Sequence, residues 1–429
     1  MVALTNSVRG DFAKRIWRKI LYLFVECALA ELRESKYKGD MAHFSTGYCT
    51  NVHAGATLEA TRANLERYAL AVKASYSPER PMGVGLWLSS RAADELIRTG
   101  GEGEFAEWLA ERGLVPYTMN GFPYGDFHQQ VVKHRVYDPN WYQPERLHYT
   151  MQLVQIHDRI LPLGMEGSIS TLPIAWGTPC ASREELEQAA ANLRQAAQWM
   201  HQLEEESGRL IYLCLEPEPG CVFSFTDDAV HFFQGQLFGH EDEEIVQRHI
   251  RISHDVCHAA VMFEEQEAVL RKFSKAGIEV GKIQISAALA MNLDLLEPPA
   301  DQARRTAVKQ LAQFAEDRYL HQTVVRRDAE DLFYEDLPAA LAGEADDPRG
   351  EWRVHFHVPI YLQEFGLLRA TQEQIGECLK AARKHTKCQH YEVETYAWGV
   401  LPPELKQPDL AAGIAEELKW FEGQIAKDQ

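Results

Sequence analysis

An excess of positive charge is the first thing missing from this chain of 429 residues: 44 Lys and Arg stand against 63 Asp and Glu, for a formal net charge of −19. A surface of that sign repels phosphate backbones and anionic lipid, which sets aside nucleic-acid and membrane-surface partners. Paired short cysteine spacings are also missing. Cys27, Cys49, Cys180, Cys214, Cys221, Cys257, Cys378 and Cys388 lie apart, without the pattern of zinc ribbons or redox dithiols, and are read as reduced thiols of a cytoplasmic protein. No apolar run reaches membrane-spanning length, which excludes stable membrane insertion. No G-x-G-x-x-G follows the first β-rich run, so a dinucleotide fold loses its main support. Neither the seventh nor the eighth such run is followed by a Gly-rich phosphate cradle, so a phosphorylated substrate is not supported.

What is present is a globular composition, 45% hydrophobic, with no low-complexity linker to divide it. The stretch "KRIWRKILYLFVECALAEL" imitates a signal peptide, with Ala28-Leu29-Ala30 as its cleavage box, but the apolar run Ile20 to Val25 is short and Glu26 interrupts it. Residues 1–40 are therefore read as an N-terminal extension, either foreign to a natural start at Met41 or a loosely attached helix, and residues 41–429 as the folded unit.

From Met41 onward, β-rich runs alternate with amphipathic stretches. The runs lie at 44–49, 84–88, 115–119, 168–173, 211–217, 250–255, 282–286 and 391–395. Between them, stretches such as "LEATRANLERYALAV" and "REELEQAAANLRQAAQWMHQL" carry apolar residues at helical spacing. Eight strand–helix alternations predict an α/β protein with a single closed (β/α)8 TIM barrel. Extra material at 297–359, between the seventh strand and its helix, is an insertion at the barrel mouth and is read as a lid or wall of a pocket.

Side chains alternate across a strand, and the apolar set of a barrel strand must face the helices. In 211–216 that set is Ile211, Leu213 and Leu215, which leaves Tyr212, Cys214 and Glu216 inside. Likewise Ile250 and Ile252 go outward and Arg251, Ser253 and Asp255 inward; Ile283 and Ile285 outward and Lys282, Gln284 and Ser286 inward; Tyr391 and Val393 outward and Glu392 and Glu394 inward. Four consecutive strands thus deliver Glu216, Asp255, Gln284 and Glu394 toward one mouth. Three converging carboxylates resist ionisation unless a cation or protons compensate, and this donor set suits a divalent metal ion: Mn, Mg, Zn or Fe.

His258, three residues beyond Asp255, can reach back to the metal or a substrate oxygen, whereas His254 is helix-facing and structural. The bland alternative makes Asp255 a helix cap and His258 an exposed loop residue. Further candidates carry equally bland alternatives. His355 and His357 in "VHFHVP" share one face of an extended run and complete the pocket or are surface-polar; Glu218 replaces Glu216 if the prolines of "EPEPG" shift the strand end. Asn51 and His53 in "GYCTNVH" suit hydroxyl recognition, with a turn role for Asn51 open. Trp87, Trp176 and Trp398 form an apolar wall against a sugar ring or belong to the core; Arg326 and Arg327 bind an anion or are a solvated pair.

With Glu216, Asp255-x-x-His258, Gln284 and Glu394 in view, the chain resembles the xylose-isomerase-like sugar-phosphate isomerase/epimerase superfamily over about residues 42–425. The resemblance implies a metal held by Glu, Asp, His and Glu from the last four strands, with the His after the Asp contacting substrate. Gln284 stands where the superfamily usually has a His ligand, so affinity falls, a hard metal is preferred, or His355 or His357 substitutes. More narrowly, "GYCTNVH", "LEPEPG", "HDVCH", "HFHVP" and "YEVETYAWGVLP" are similar to the EboE family of metabolite-traffic proteins from bacterial ebo gene clusters. That similarity implies transport or processing of a secondary-metabolite precursor, with other ebo-cluster proteins as partners; a homo-oligomer is left open. Three functions follow: a metal-dependent isomerase or epimerase on a sugar-like or polyol-like carbonyl compound with Glu216, Glu394 and His258 catalytic, a non-catalytic carrier barrel, or a metal-dependent hydrolase of a small ester.

Overall fold

The computed structural model describes residues 46–296, 300–328, 330–405, 407 and 409–427, so the extension at 1–40 lies outside the described residues. Each of the eight β-rich runs becomes a parallel strand: β1 (Thr46–Cys49), β2 (Met82–Trp87), β3 (Leu114–Asn120), β4 (Gly167–Thr171), β5 (Ile211–Leu215), β6 (Ile250–Asp255), β7 (Val280–Ile285) and, after six strands of a second sheet, β14 (Tyr391–Val393). They close in the order β1-β14-β7-β6-β5-β4-β3-β2, a (β/α)8 TIM barrel. Parallel neighbours cannot be joined by hairpins, so each needs a crossover, and the amphipathic stretches supply it.

The longest of these, α1 (Arg183–Ser207), shows how local sequence sets its ends. Ser182 Oγ accepts from Glu185 N at 3.2 Å while Ser182 N donates to Glu185 Oε2 at 2.7 Å, a reciprocal cap that satisfies two otherwise unpaired amides. Gly208, at φ 74°, stops the helix in the left-handed conformation that other residues adopt at a cost. Other helices used below are α2 (Glu243–His249), α3 (Val256–Val261), α4 (Glu373–His385) and α5 (Leu410–Lys427). None of the described helices is long and apolar enough to cross a membrane.

The helix-facing residues Ile211, Leu213, Leu215, Ile250, Ile252, Ile283, Ile285 and Val393 all lie in the hydrophobic core, each buried aliphatic side chain contributing about 1.5–3 kcal/mol. Inside the barrel the chemistry is polar. Lys282 Nζ sits 2.6 Å from Glu392 Oε2 and donates to Ser170 Oγ at 3.1 Å, and neither charged side chain is exposed. Burial alone pushes the Lys282 ammonium down, but Glu392 beside it holds it above its ordinary value. Gly85 makes the room: a Cβ there would stand 1.2 Å from Glu392 Oε1.

Between β7 and α4 the chain builds an antiparallel sheet from β8 (Leu289–Asn292), β9 (Thr323–Arg327), β10 (Glu330–Tyr334), β11 (Glu351–Val354), β12 (Glu364–Phe365) and β13 (Leu368–Ala370), in the order β10-β9-β11-β8-β13-β12. The 297–359 segment falls within this insertion. Arg326 pairs with Asp331 at 2.6 Å and Arg327 with Glu344, so both guanidinium groups are engaged within the insertion.

Removing one member of a buried ion pair leaves the other charge uncompensated. Lys282→Met should cost about 3–5 kcal/mol in urea unfolding, and a second change, Glu392→Leu, should recover much of that loss. A double variant no more stable than the single one would show that the pair is not the source of the cost.

Candidate metal centre

The barrel ladder extends one residue beyond two strands: Glu216 N donates to Thr171 O at 3.0 Å and Glu394 N to Ile285 O at 3.1 Å. This fixes Glu216 and Glu394 at the rim with Asp255, the last residue of β6. Glu216, Asp255 and Glu394 are buried and each places a carboxylate oxygen within 4.8 Å of the others. Glu216 Oε2 accepts from Ser253 Oγ at 2.9 Å. Glu394 Oε1 accepts from Asn51 Nδ2 at 2.7 Å and Asn120 Nδ2 at 3.1 Å, and its Oε2 from Gln284 Nε2 at 3.1 Å. Asp255 Oδ1 accepts from His258 N at 2.9 Å and Ser286 Oγ at 2.7 Å, so it does cap α3. One oxygen caps; the other, Oδ2, has no hydrogen-bond partner.

Burial, then the neighbouring Glu394 and Asp255 charges, pushes Glu216 well above the usual carboxylate range. Burial, then Glu392 and Asp255, pushes Glu394 up to about 8. Asp255 goes the other way. Burial raises it, but His258, His357 and the bonds from Ser286 and the His258 amide outweigh that. Burial pushes His357 down to about 4, so at neutral pH its ring is uncharged.

A histidine group stands above the carboxylates. His258 Nδ1 lies 2.8 Å from the Pro217 carbonyl oxygen, His355 Nδ1 2.7 Å from Gln322 Oε1, and His357 Nδ1 2.7 Å from the Glu394 carbonyl oxygen. Gln322 is oriented by its Nε2, which donates to Glu218 Oε1 at 3.0 Å and Pro219 O at 3.2 Å. A carbonyl oxygen only accepts, so every Nδ1 carries a proton and every neutral ring presents Nε2 as a lone pair. His258 Nε2 and His355 Nε2 face each other at 3.1 Å, and His357 Nε2, without a partner, is 3.9 Å from Asp255 Oδ2.

These observations test whether a divalent cation fits. Asp255 Oδ2, Gln284 Oε1 and His357 Nε2 are buried acceptors without donors, and two imidazole lone pairs are in contact. Each unsatisfied acceptor costs on the order of 1–3 kcal/mol, a cost that a cation removes. Asp255 and His357 form such a group with His258, and Glu218 forms another with His258 and His355. The residues fit a metal.

Of the other residues singled out in the sequence, Asn51, His258, His355, His357 and Glu218 line the same pocket as Glu216 and Glu394, about 550 Å³ including its open mouth. His53 does not. It hydrogen-bonds Tyr48 Oη at 2.9 Å, stacks on Tyr68, and lines a neighbouring cavity together with Trp398. Trp398 Nε1 donates to the buried Glu417. His254 bonds Gln266 Oε1 at 2.7 Å on the helix side, and Trp87 Nε1 bonds the Pro123 carbonyl. Residues the sequence reading passed over include Asn120, Gln322 and Ser253's bond to Glu216. Asn120 had a signal, a polar residue at the end of β3; Gln322 had none, because its partners lie between 33 and 185 positions away.

No protein-family model matches the chain, and no curated protein matches it. Solved structures similar to it include the IolI protein with a bound zinc atom (12% identity, TM-score 0.44, covering 89% of this chain and 98% of that one). Another is a D-tagatose 3-epimerase-like protein (9%, TM-score 0.44, 90% and 99%). A third is a sugar phosphate isomerase/epimerase from Parabacteroides distasonis (9%, TM-score 0.41, 90% and 96%).

In the metal-free protein the folded state holds a proton on Glu394 that the unfolded chain, with a carboxyl near 4.5, has released. The stability this contributes is complete below the unfolded value and is lost as pH rises through about 8, at on the order of 1.4 kcal/mol per pH unit. Buried histidines held neutral, His357 among them, pull the other way below about pH 6.5, so the Tm of the metal-free protein should fall between about pH 7 and pH 8, with a shallower slope in Glu394→Gln. A divalent cation should raise Tm most at the alkaline end of that window. A Tm that climbs through the window in the metal-free protein removes the electrostatic basis of the site.

Proposed function

We propose that this protein is a divalent-metal-dependent isomerase or epimerase acting on a sugar-like or polyol-like carbonyl metabolite. The observation that carries the reading is the meeting of Glu216 and Glu394 on either side of Asp255 and Gln284 in one buried mouth. Glu216, Asp255, Glu394 and His357 would hold the cation, with His357 taking the place Gln284 fills poorly. When bound, the metal polarises the substrate carbonyl and makes the neighbouring C–H more acidic.

The chain's own groups do the rest. Glu216 is held by Ser253 through one oxygen, which leaves the other to accept the proton adjacent to the carbonyl. Glu394, fixed by Asn51 and Asn120, stands across the mouth from Glu216 and would return a proton to the substrate. His258 and His355 present facing lone pairs to which a substrate hydroxyl donates, and Asn51 Oδ1 is a further buried acceptor. Phe122, Phe127, Tyr319 and Tyr396 wall the pocket, apolar enough to cover a ring face and exclude water. Lys133, the single Lys or Arg among the lining residues, is taken by Asp336 at 2.5 Å, so an uncharged substrate suits the pocket better than a phosphorylated one.

The finer reading follows the ebo-cluster similarity: the substrate is a secondary-metabolite precursor, handled in the cytoplasm alongside other proteins of that cluster. The seven described cysteines are all unpaired, in keeping with a reducing compartment.

Elemental analysis of the purified protein should find tightly bound divalent metal that drops in Glu216→Gln and Glu394→Gln. With a panel of unphosphorylated ketoses and cyclitol ketones in deuterated water, the parent should exchange the proton next to the carbonyl, and each variant should lose about 10²–10⁴-fold in rate. Ligand retention without exchange would identify a carrier barrel instead, and release of an acid from small esters a hydrolase. Metal absent from parent and variants alike would sink the isomerase and the hydrolase and leave the carrier.

A further inference from the structure

We propose that the opposite end of the barrel carries a second cation site, made by His201, Glu204 and His249, that binds Zn(II) and staples α1 to the foot of the barrel wall. Each of the three offers one ligand atom, and these atoms lie within 4.8 Å of one another. β6 runs its six residues between His249 and the pocket, so roughly 20 Å of strand, at about 3.3 Å per residue, separates this group from Asp255.

Sequence and helix geometry place the donors. His201 and Glu204 are three apart on α1, one helical turn, and so share a face. His249 closes α2 directly before β6, and α1 packs on α2. The His249 side chain is fully buried; its Nδ1 lies 2.8 Å from the Ile211 carbonyl oxygen at the start of β5, which puts the proton on Nδ1 and leaves Nε2 as a lone pair. That lone pair has no hydrogen-bond partner and faces Glu204 Oε2 at 3.4 Å. His201 Nδ1 is likewise shielded from solvent without a partner. Two acceptors turned toward each other at that distance repel, and a cation between them turns the contact into an attraction.

Two imidazoles and a carboxylate are the donor set that Zn(II) takes in four-coordinate sites, with water in the remaining position. Solvent can reach that position, since the His201 side chain is 35% exposed. Arg248 competes for the same carboxylate. Arg248 grips both oxygens of Glu204, with Nε to Oε2 at 2.7 Å, and His201 Nε2 lies 3.7 Å from Glu205 Oε1. The cation shares Glu204 with Arg248, whose charge weakens the site without closing it.

The test uses the full chain carrying Glu216→Gln, Glu394→Gln, His258→Gln and His355→Gln, which breaks every three-ligand group of the pocket, stripped of metal and titrated with Zn(II) by calorimetry. The parent of this series should bind about one equivalent at the foot of the barrel. Adding His201→Gln, a change at a partly exposed position, should weaken that equivalent at least tenfold and abolish the Zn(II)-dependent rise in Tm. His249→Gln should do the same, and Arg248→Gln should tighten binding by removing the competing cation. Co(II) in place of Zn(II) should give visible absorption that His201→Gln loses. Zn(II) affinity unchanged by His201→Gln, or a parent that takes up no Zn(II), overturns the proposal and reduces the group to an ion pair of a protonated His249 with Glu204. Neither result touches the pocket, whose metal is measured in the chain with Glu216 and Glu394 intact.

Discussion

Like charge held close under cover is the constraint around which this molecule is arranged. Glu216, Asp255 and Glu394 bring carboxylate oxygens within 4.8 Å of one another, all three buried. At that separation, out of bulk water, two negative charges repel by several kcal/mol even at a protein-like effective dielectric. The structure answers with fixed dipoles: Ser253 on Glu216, Asn51, Asn120 and Gln284 on Glu394, Ser286 and a backbone amide on Asp255. These donors hold the carboxylates in place but leave Asp255 Oδ2 unmatched. An arrangement that pins the ligands and leaves inward lone pairs open is preorganised for a cation, since little reorganisation accompanies binding.

Beneath the mouth the same problem is solved internally. Glu392 is a fourth acidic group in the barrel, and Lys282 neutralises it at 2.6 Å with no exposure of either side chain. The two solutions are layered. Lys282 lowers Glu216 and Glu394 only as a secondary influence against burial, so its charge belongs to Glu392 and does not discharge the rim. A barrel that carried the Lys–Glu pair one layer higher would have its own counter-ion in the mouth and no place for a metal.

Strand positions were legible because parallel barrel strands are short apolar runs bounded by helices of a different period, and two-residue alternation then named the inward side chains. That logic covers Glu216, Asp255, Gln284 and Glu394, whose strands place the alternate residues Leu215, Ile252, Ile285 and Val393 in the core as the alternation requires. It runs out at the insertion. β8, four residues long, follows β7 after a gap of three residues, and nothing in "LAMN" separates it from the tail of the preceding run. β12 is two residues long, below any periodicity. His53 shows a different limit. Sequence places it at the end of the first strand, but its ring is turned by Tyr48 and Tyr68, and only those contacts decide which cavity it lines.

Gln284 is best understood through His357. An amide oxygen is a weaker ligand than an imidazole, and Gln284 uses its nitrogen to hold Glu394, so at most one atom of it remains for a cation. His357 arrives from the insertion rather than from a barrel strand, yet its Nδ1 is bonded to the carbonyl of Glu394 itself. The backbone of one site residue thereby sets the tautomer and aim of another. This coupling makes the insertion more than a cover: moving 355–357 away would withdraw His355 and His357 from the pocket together and free the Glu394 carbonyl. Were a cation to bind here, a segment that supplies both wall and ligand would tie access to the site to its completion.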